Sequence, residues 1–365
     1  MTDILTAANR IVFKIGSSTL LADDNSIDGA TLHHLSALWS NLHKEGKELI
    51  LVSSGAVALG RPQLSHANKG DAIPSKQAAA AIGQSKLMSL YDTFFGVCGI
   101  AVAQILLTRN DLADRKRYIN ARNTLNILLE ERVVPIINEN DTVACEELKF
   151  GENDTLAVLV AGLLDADLVI LLSDIYGLYT ADPRKNSDAR HIDDVTEIND
   201  EIMSLAGGAG SRIGSGGMKS KVEAAKIAGQ SGIPLAITMG KDVANIRACL
   251  MGGGKRTLFI PAEHGLKQRD RWIAHGSAAE GAVIVDHGAV AALALHKSLL
   301  PVGVKATEGD FPENSVILVK DQRGKEIARG ITNYSAAKIE TIKGKHCSEG
   351  EIIEVIHCDN LVLED

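Results

Sequence analysis

The sequence predicts an α/β protein built on a mostly parallel sheet. From residue 10 onward short β-branched runs alternate with longer segments of helical period, and several of the short runs are apolar on both faces, as a helix-covered sheet requires. With 45% hydrophobic and 23% charged residues, the chain has the composition of a packed globular protein rather than a disordered or fibrous one. Its 365 residues suffice for two domains that each bury a core without disulfides or metal.

The expected strands are residues 10–15, 48–53, 100–107, 133–137, 167–172 and 233–239. Between them, Leu32, Leu35, Leu38 and Leu42 recur at helical spacing. Pro74 opens an Ala-rich helical segment reaching about Phe95, since proline suits a first turn whose N–H groups lack helical partners. Composition changes after Gly252, Gly253 and Gly254. A short strand over 257–260 leads into Pro261, and the polar stretch 263–271 reads as a linker. Beyond it, strand-like pieces at 282–285, 316–320, 326–330 and 352–356 are separated by Gly, Pro and Asp/Asn turns. The expected organisation is therefore a domain over 1–260, a linker over 261–278 and a small β-rich domain over 279–365.

Charge and cysteine usage exclude several classes of function. A net charge of −8 offers no basic surface for a polyanion, so nucleic acid is not expected as a partner. Five cysteines without CxxC spacing give neither a disulfide framework nor a zinc knuckle and fit a reducing cytoplasm. The longest apolar stretch, 156–164, is stopped by Asp165 and Asp167, far short of a membrane helix, and no signal-peptide pattern opens the chain. HExxH, Gly-x-Ser-x-Gly and paired Cys/His spacings are absent, and no metal-ligating set is expected.

The remaining motifs sit where strands end. Lys14-Ile15-Gly16-Ser17-Ser18 puts a lysine at the carboxyl edge of the sheet before a turn of small residues, where backbone N–H groups and a point charge receive phosphate. Ser53-Ser54-Gly55-Ala56 repeats that design, although its serines also suit plain helix capping. Asn138-Glu139-Asn140-Asp141 and Gly151-Glu152-Asn153-Asp154 read as a surface turn and a helix cap, or as groups that hold an amino acid or help place a metal. Ser173-Asp174 ends another strand, and the Gly-rich run 207–217 passes through Ser215-Gly216-Gly217-Met218-Lys219-Ser220-Lys221 into a helical segment. A glycine loop entering a lysine-bearing helix is phosphate-binding machinery, but neither a Walker A motif nor a G-x-G-x-x-G fingerprint occurs. Phosphoryl transfer to a carboxylate suits this inventory, because the acceptor is already an anion at neutral pH and requires no general base.

Taken in order, Lys14-Ile15-Gly16-Ser17, Ser53-Ser54-Gly55-Ala56, Ile137-Asn138-Glu139-Asn140-Asp141, Leu178-Tyr179-Thr180-Ala181-Asp182-Pro183 and Gly216-Gly217-Met218-x-x-Lys221 resemble the amino-acid kinase superfamily, most closely its branch that phosphorylates glutamate in proline biosynthesis. The likeness covers nearly the whole chain, because the tail after about residue 279 resembles the PUA domain of that branch. It implies a three-layer sandwich with an open, mostly parallel sheet, and transfer of a phosphoryl group from ATP, with Mg²⁺ bridging phosphates, to the γ-carboxylate of glutamate. Lys14 and Lys221 are implied as the lysines bridging the transferred group, and Asp154 as the carboxylate that holds them. Ser54, Asp141 and Asn153 are the implied glutamate-binding positions, with Asp141 facing the α-nitrogen and Asn153 pairing with a carboxylate. Ser173, Asp174, Ser215, Gly216, Gly217, Met218, Lys219, Ser220 and Lys221 are the implied ATP-binding positions. Ser173 and Ser215 stand where the pattern has threonine, and Glu152 where aspartate is common.

The resemblance further implies a cytoplasmic homo-oligomer, inhibition by proline, and contact with the next enzyme of the pathway. An acetylglutamate, aspartate or uridylate kinase is the nearest rival within the superfamily. From another class, PUA-like tails suggest an RNA-binding regulator. Residues 279–365 hold nine basic and fourteen acidic residues, a net −5 poorly matched to a phosphate backbone.

Overall fold

A computed structural model describes residues 3–22, 24, 26–65, 72–144, 153–207, 217–261, 273, 279–345 and 354–363. The chain divides into two compact units, Met1–Gly265 and Leu266–Asp365. Nearly all of the expected linker 261–278 lies outside the described residues.

In the first unit, strands β1 (Arg10–Ile15), β2 (Glu48–Ser53), β3 (Val102–Leu107), β4 (Val134–Glu139), β5 (Leu168–Ser173), β6 (Asp194–Val195), β7 (Leu235–Met239) and β8 (Thr257–Phe259) form one sheet in the order β3-β4-β2-β1-β5-β7-β8-β6. Its neighbouring pairs are parallel except β7 with β8. The six expected strands are present, β1 and β2 with the expected ends and the other four with shifted ends. β4 extends two residues further than its apolar run, because Asn138 and Glu139 continue the ladder with Leu106 and Leu107. The two-residue β6 has too little pattern to be seen in sequence.

Alternation along β1 sorts the two helical layers. Ile11, Phe13 and Ile15 join a core with Leu32, Leu35 and Trp39 of the helix Gly29–Lys44, and with Leu87, Tyr91 and Phe95 of the helix Ile73–Gly96. Val12 and Lys14 belong to the other side, where the helices Asn153–Leu163 and Met218–Gln230 pack on each other and on the sheet. Lys14 is therefore directed by strand period alone into the layer that contains Asp154 and Lys221. The helix Gly29–Lys44 starts where the Asp28 carboxylate accepts the Thr31 N–H at 3.0 Å.

The short helix Ala56–Gly60 crosses the helix Ile73–Gly96 at backbone distance. A Cβ built on Gly60 would lie 1.8 Å from the Ala79 carbonyl oxygen, and one on Gly83 1.7 Å from that of Ala56. Both neighbours are main chain and cannot yield cheaply.

The second unit holds a five-stranded sheet, β10-β9-β11-β12-β13, from β9 (Gly281–Val285), β10 (Val304–Glu308), β11 (Val316–Lys320), β12 (Glu326–Ile331) and β13 (Leu361–Leu363). Val283, Val285, Phe311, Ile317, Val319 and Ile339 fill its core. β10 escapes sequence reading because only Val304 of its five residues is buried. Of the strand expected at 352–356, residues 352 and 353 lie outside the described residues, and Ile356 forms an isolated bridge with Leu299.

The glycine contact yields a direct test. Gly83→Ala should destabilise the first unit by about 2 kcal/mol or more, in the upper range for overpacking, whereas Gly29→Ala, which meets open space, should stay within about 0.5 kcal/mol of the parent. Denaturant unfolding compares them, and equal midpoints for the two variants would refute the close-approach argument.

Candidate active site

β1 lies between β2 and β5, and the connections reverse between them: from β1 the chain passes outward to β2 on one side, and from β5 outward toward β7 and β8 on the other. In an open parallel sheet such a reversal opens a crevice at the carboxyl ends of the strands. Lys14 is the penultimate residue of β1, Ser53 ends β2, Glu139 ends β4 and Ser173 ends β5. The sequence motifs thus converge on one edge.

At the centre is a buried triad. Asp154, in the first turn of the helix Asn153–Leu163, is 0% exposed, and its Oδ1 lies 2.7 Å from Lys14 Nζ. Lys221 Nζ, from the first turns of the helix Met218–Gln230, lies 3.1 Å from Oδ2, and Ser220 Oγ donates to the same oxygen at 3.2 Å. Burial acts to raise the Asp154 pKa, but the charges of Lys14 and Lys221 and their hydrogen bonds overcome it, and the carboxyl is held below its usual range. The helix N-terminus contributes in the same sense. Two cations from separate elements are thereby fixed on one anion at the sheet edge.

On the β2–β4 side amides and hydroxyls meet. Asn153 Nδ2 donates to Ser54 Oγ at 2.9 Å, to Asn138 Oδ1 at 2.9 Å and to the Ser53 carbonyl at 3.1 Å. Neither serine caps the following helix, whose N-cap is Gly55 at φ 105° with no side-chain bond. Ser53 Oγ instead pairs with the buried Tyr91 hydroxyl at 2.8 Å. Asp141 lies in the turn after β4, half-buried, close in sequence to this group.

On the β5 side, Ser173 Oγ donates to Asp174 Oδ1 at 3.2 Å, and Asp174 pairs with Arg184 at 3.0 Å. The following segment is tied to β8, since Leu178 N donates to Thr257 Oγ1 at 2.7 Å. Gly217 caps the helix of Lys221, Met218 opens it, and exposed Lys219 pairs loosely with Glu223 at 3.8 Å. Ser215 and Gly216 lie outside the described residues, as does Glu152.

The structure therefore brings Lys14, Lys221, Asp154 and Ser220 together at the centre, Ser54 and Asn153 on one flank, and Ser173 and Asp174 on β5 at the other. Sequence reading did not single out Arg184, Gln84 or Tyr91. Gln84 sits in an Ala-rich helix and Tyr91 reads as core, so neither carries a local signal.

Comparisons with known proteins show the family. A profile of the amino acid kinase family matches residues 9–239, and one of the PUA domain matches residues 281–353. The chain belongs to the amino acid kinase family. It is 48% identical over 375 residues, covering all of both chains, to the glutamate 5-kinase of Carboxydothermus hydrogenoformans. It is 47% identical over 367 residues to the glutamate 5-kinase of Moorella thermoacetica, covering 98% of this chain and 97% of that one. The crystal structure of UMP kinase from Ureaplasma parvum superposes with a TM-score of 0.51 at 14% identity, covering 69% of this chain and 99% of that one, a likeness of fold.

Asp154→Asn tests the triad. The variant leaves two ammonium groups facing each other in a buried site and should lose about 3 kcal/mol or more at pH 7. A carboxyl whose folded pKa is depressed stabilises above its unfolded pKa and loses that contribution as pH falls through the folded value. The gap between parent and variant in denaturant unfolding should thus be constant above about pH 5 and narrow below about pH 4. A gap independent of pH down to 2 would contradict it.

Proposed function

We propose that this chain transfers the γ-phosphoryl group of ATP to the γ-carboxylate of glutamate, forming glutamyl 5-phosphate for proline biosynthesis. The observation that carries the reading is the Lys14–Asp154–Lys221 triad at the switch point of the sheet, in a chain alike along its whole length to proteins named glutamate 5-kinase. The strand order supports a division of labour. Ser54, Asp141 and Asn153 bind glutamate beyond β2, Ser173, Asp174 and residues 217–221 bind ATP on the other side of β1, with Ser215 and Gly216 assigned to ATP by resemblance alone, and the phosphoryl group crosses above Lys14.

The chemistry asked of the protein is positioning and charge neutralisation. Lys14 and Lys221 supply positive charge from two directions to the transferring group, and Asp154 keeps both in place without being consumed. Mg²⁺ enters as the partner of the ATP phosphates, a role in which it keeps few protein ligands. Asp154 has both oxygens engaged by lysines and is fitted to them rather than to a metal, while among the described residues no group of three His, Cys, Asp or Glu side chains forms a metal cage. The reading extends to a cytoplasmic homo-oligomer that passes its reactive acyl phosphate to the next enzyme. It also extends to proline as an inhibitor, which shares the α-carboxylate and cationic nitrogen of glutamate but has no γ-carboxylate to accept phosphate.

Glutamate-dependent ADP release tests the reading against acetylglutamate, aspartate and UMP as acceptors. Lys14→Ala and Lys221→Ala should each lower kcat by about 10²-fold or more, with smaller changes in the KM for glutamate, as loss of a transition-state contact does. Near-normal turnover in Lys221→Ala would remove that lysine from the mechanism. In the parent protein, proline should raise the apparent KM for glutamate without limit. An effect that saturates would assign proline to a separate site.

A further inference from the structure

Beneath the proposed glutamate side runs a chain of amides of which only Asn153 has an assigned role. Asn153 Nδ2 donates to Asn138 Oδ1 at 2.9 Å, Asn138 Nδ2 donates to Gln84 Oε1 at 2.9 Å, and Gln84 Nε2 reaches Gln104 Oε1 at 3.4 Å. Asn138 and Gln84 are both buried, 3% and 8% exposed. An amide offers two donors and one acceptor oxygen, so each member can be flipped, and a chain of them has a direction.

Two main-chain groups fix that direction. The Ser53 carbonyl can only accept, which places the Asn153 nitrogen against it at 3.1 Å. The Glu139 N–H can only donate, which places the Asn138 oxygen against it at 2.9 Å. Asn138 must then point its nitrogen away from the site, and that nitrogen needs a buried acceptor, because an unpaired buried donor costs about 1–3 kcal/mol. Gln84 supplies it. Position follows from the glycine contact already described: Gly83, the preceding residue, brings the helix against the Ala56–Gly60 segment at backbone distance and sets Gln84 beneath β4.

The direction of the chain decides what the site offers a ligand. The two hydrogens of Asn153 are shared among three protein acceptors, which leaves its oxygen as the atom it can offer a ligand. Ser54 Oγ is an acceptor for Asn153, which leaves the Ser54 hydroxyl hydrogen to donate. This direction suits Asn153 to a cationic nitrogen and Ser54 to a carboxylate, the reverse of the assignment expected for Asn153 from the sequence and the basis of the proposal below.

We propose that Gln84 is a positioning residue which, through Asn138, holds Asn153 with its carbonyl toward the α-ammonium of the amino-acid substrate and so sets discrimination for that ammonium; this rests on the glutamate reading above. Glutarate, which is glutamate without the ammonium, reads the effect. In Gln84→Met the ratio of kcat/KM for glutamate to that for glutarate should fall about tenfold, with the KM for ATP within about twofold of the parent. Gln84→Glu retains an oxygen to accept from Asn138 and should keep the ratio within about threefold. Should Gln84→Met not fold, as judged by circular dichroism and thermal melting, Gln104→Leu, at an exposed strand position, should lower the ratio about threefold. A ratio unchanged in the folded Gln84→Met, or in Gln104→Leu where that variant takes its place, overturns the proposal. Equal losses in Gln84→Met and Gln84→Glu also overturn it. A parent protein with no glutamate-dependent ATP turnover would instead overturn the functional reading itself.

Discussion

A single buried carboxylate between two ammonium groups organises the first unit of this protein. Asp154 has no exposed surface and faces Lys14 from a strand and Lys221 from a helix. Charges of this kind are expensive to bury, and attraction at low local dielectric compensates only when geometry is good. Here the geometry comes from three independent frames: the pleat of β1, which points Lys14 to one face, and the first turns of two helices packed together on that face. The triad carries net positive charge in a crevice, an arrangement with little structural merit and a clear use for a phosphoryl group in transit.

The polar groups around that centre divide by strand order. Amides and hydroxyls gather beyond β2, where Asn153, Asn138 and Gln84 form a directed chain, whereas a carboxylate and its arginine partner, Asp174 and Arg184, follow β5. A lining of amides and hydroxyls fixed in direction, with the Asp141 carboxylate close in sequence, suits a zwitterionic amino acid, which needs donors and acceptors in set places. Backbone approach at Gly60 and Gly83 is what brings the helix of Gln84 close enough to join it. In the proposed reading, specificity thus depends on backbone contact at these two glycines.

Much of this was legible in the sequence, and the limits have physical causes. β1, β2 and β5 are apolar on both faces and end at small or charged residues, so both the parallel sheet and its functional edge follow from pattern. β4 was read two residues short because Asn138 and Glu139 are polar yet remain in the ladder, and that hid Asn138 as a buried strand residue. Gln84 gave no signal at all, since one polar residue on a helix with a small-residue surface looks like a solvated position. Pairing of the lysines through Asp154 came from family resemblance, and no spacing rule in one dimension joins positions 14, 154 and 221. In the tail, β10 and β13 carry no readable pattern because one has a single buried residue and the other is three residues long.

The central claim is that Asp154 acts on catalysis by holding the two lysines, and a double-mutant cycle on turnover measures it most directly. If Asp154 works through Lys221, the loss of kcat in Asp154→Asn combined with Lys221→Ala should fall well short of the product of the single losses, approaching that of the more damaging single change. Losses that multiply in full would mean that Asp154 and Lys221 act independently, and would contradict this account of the site.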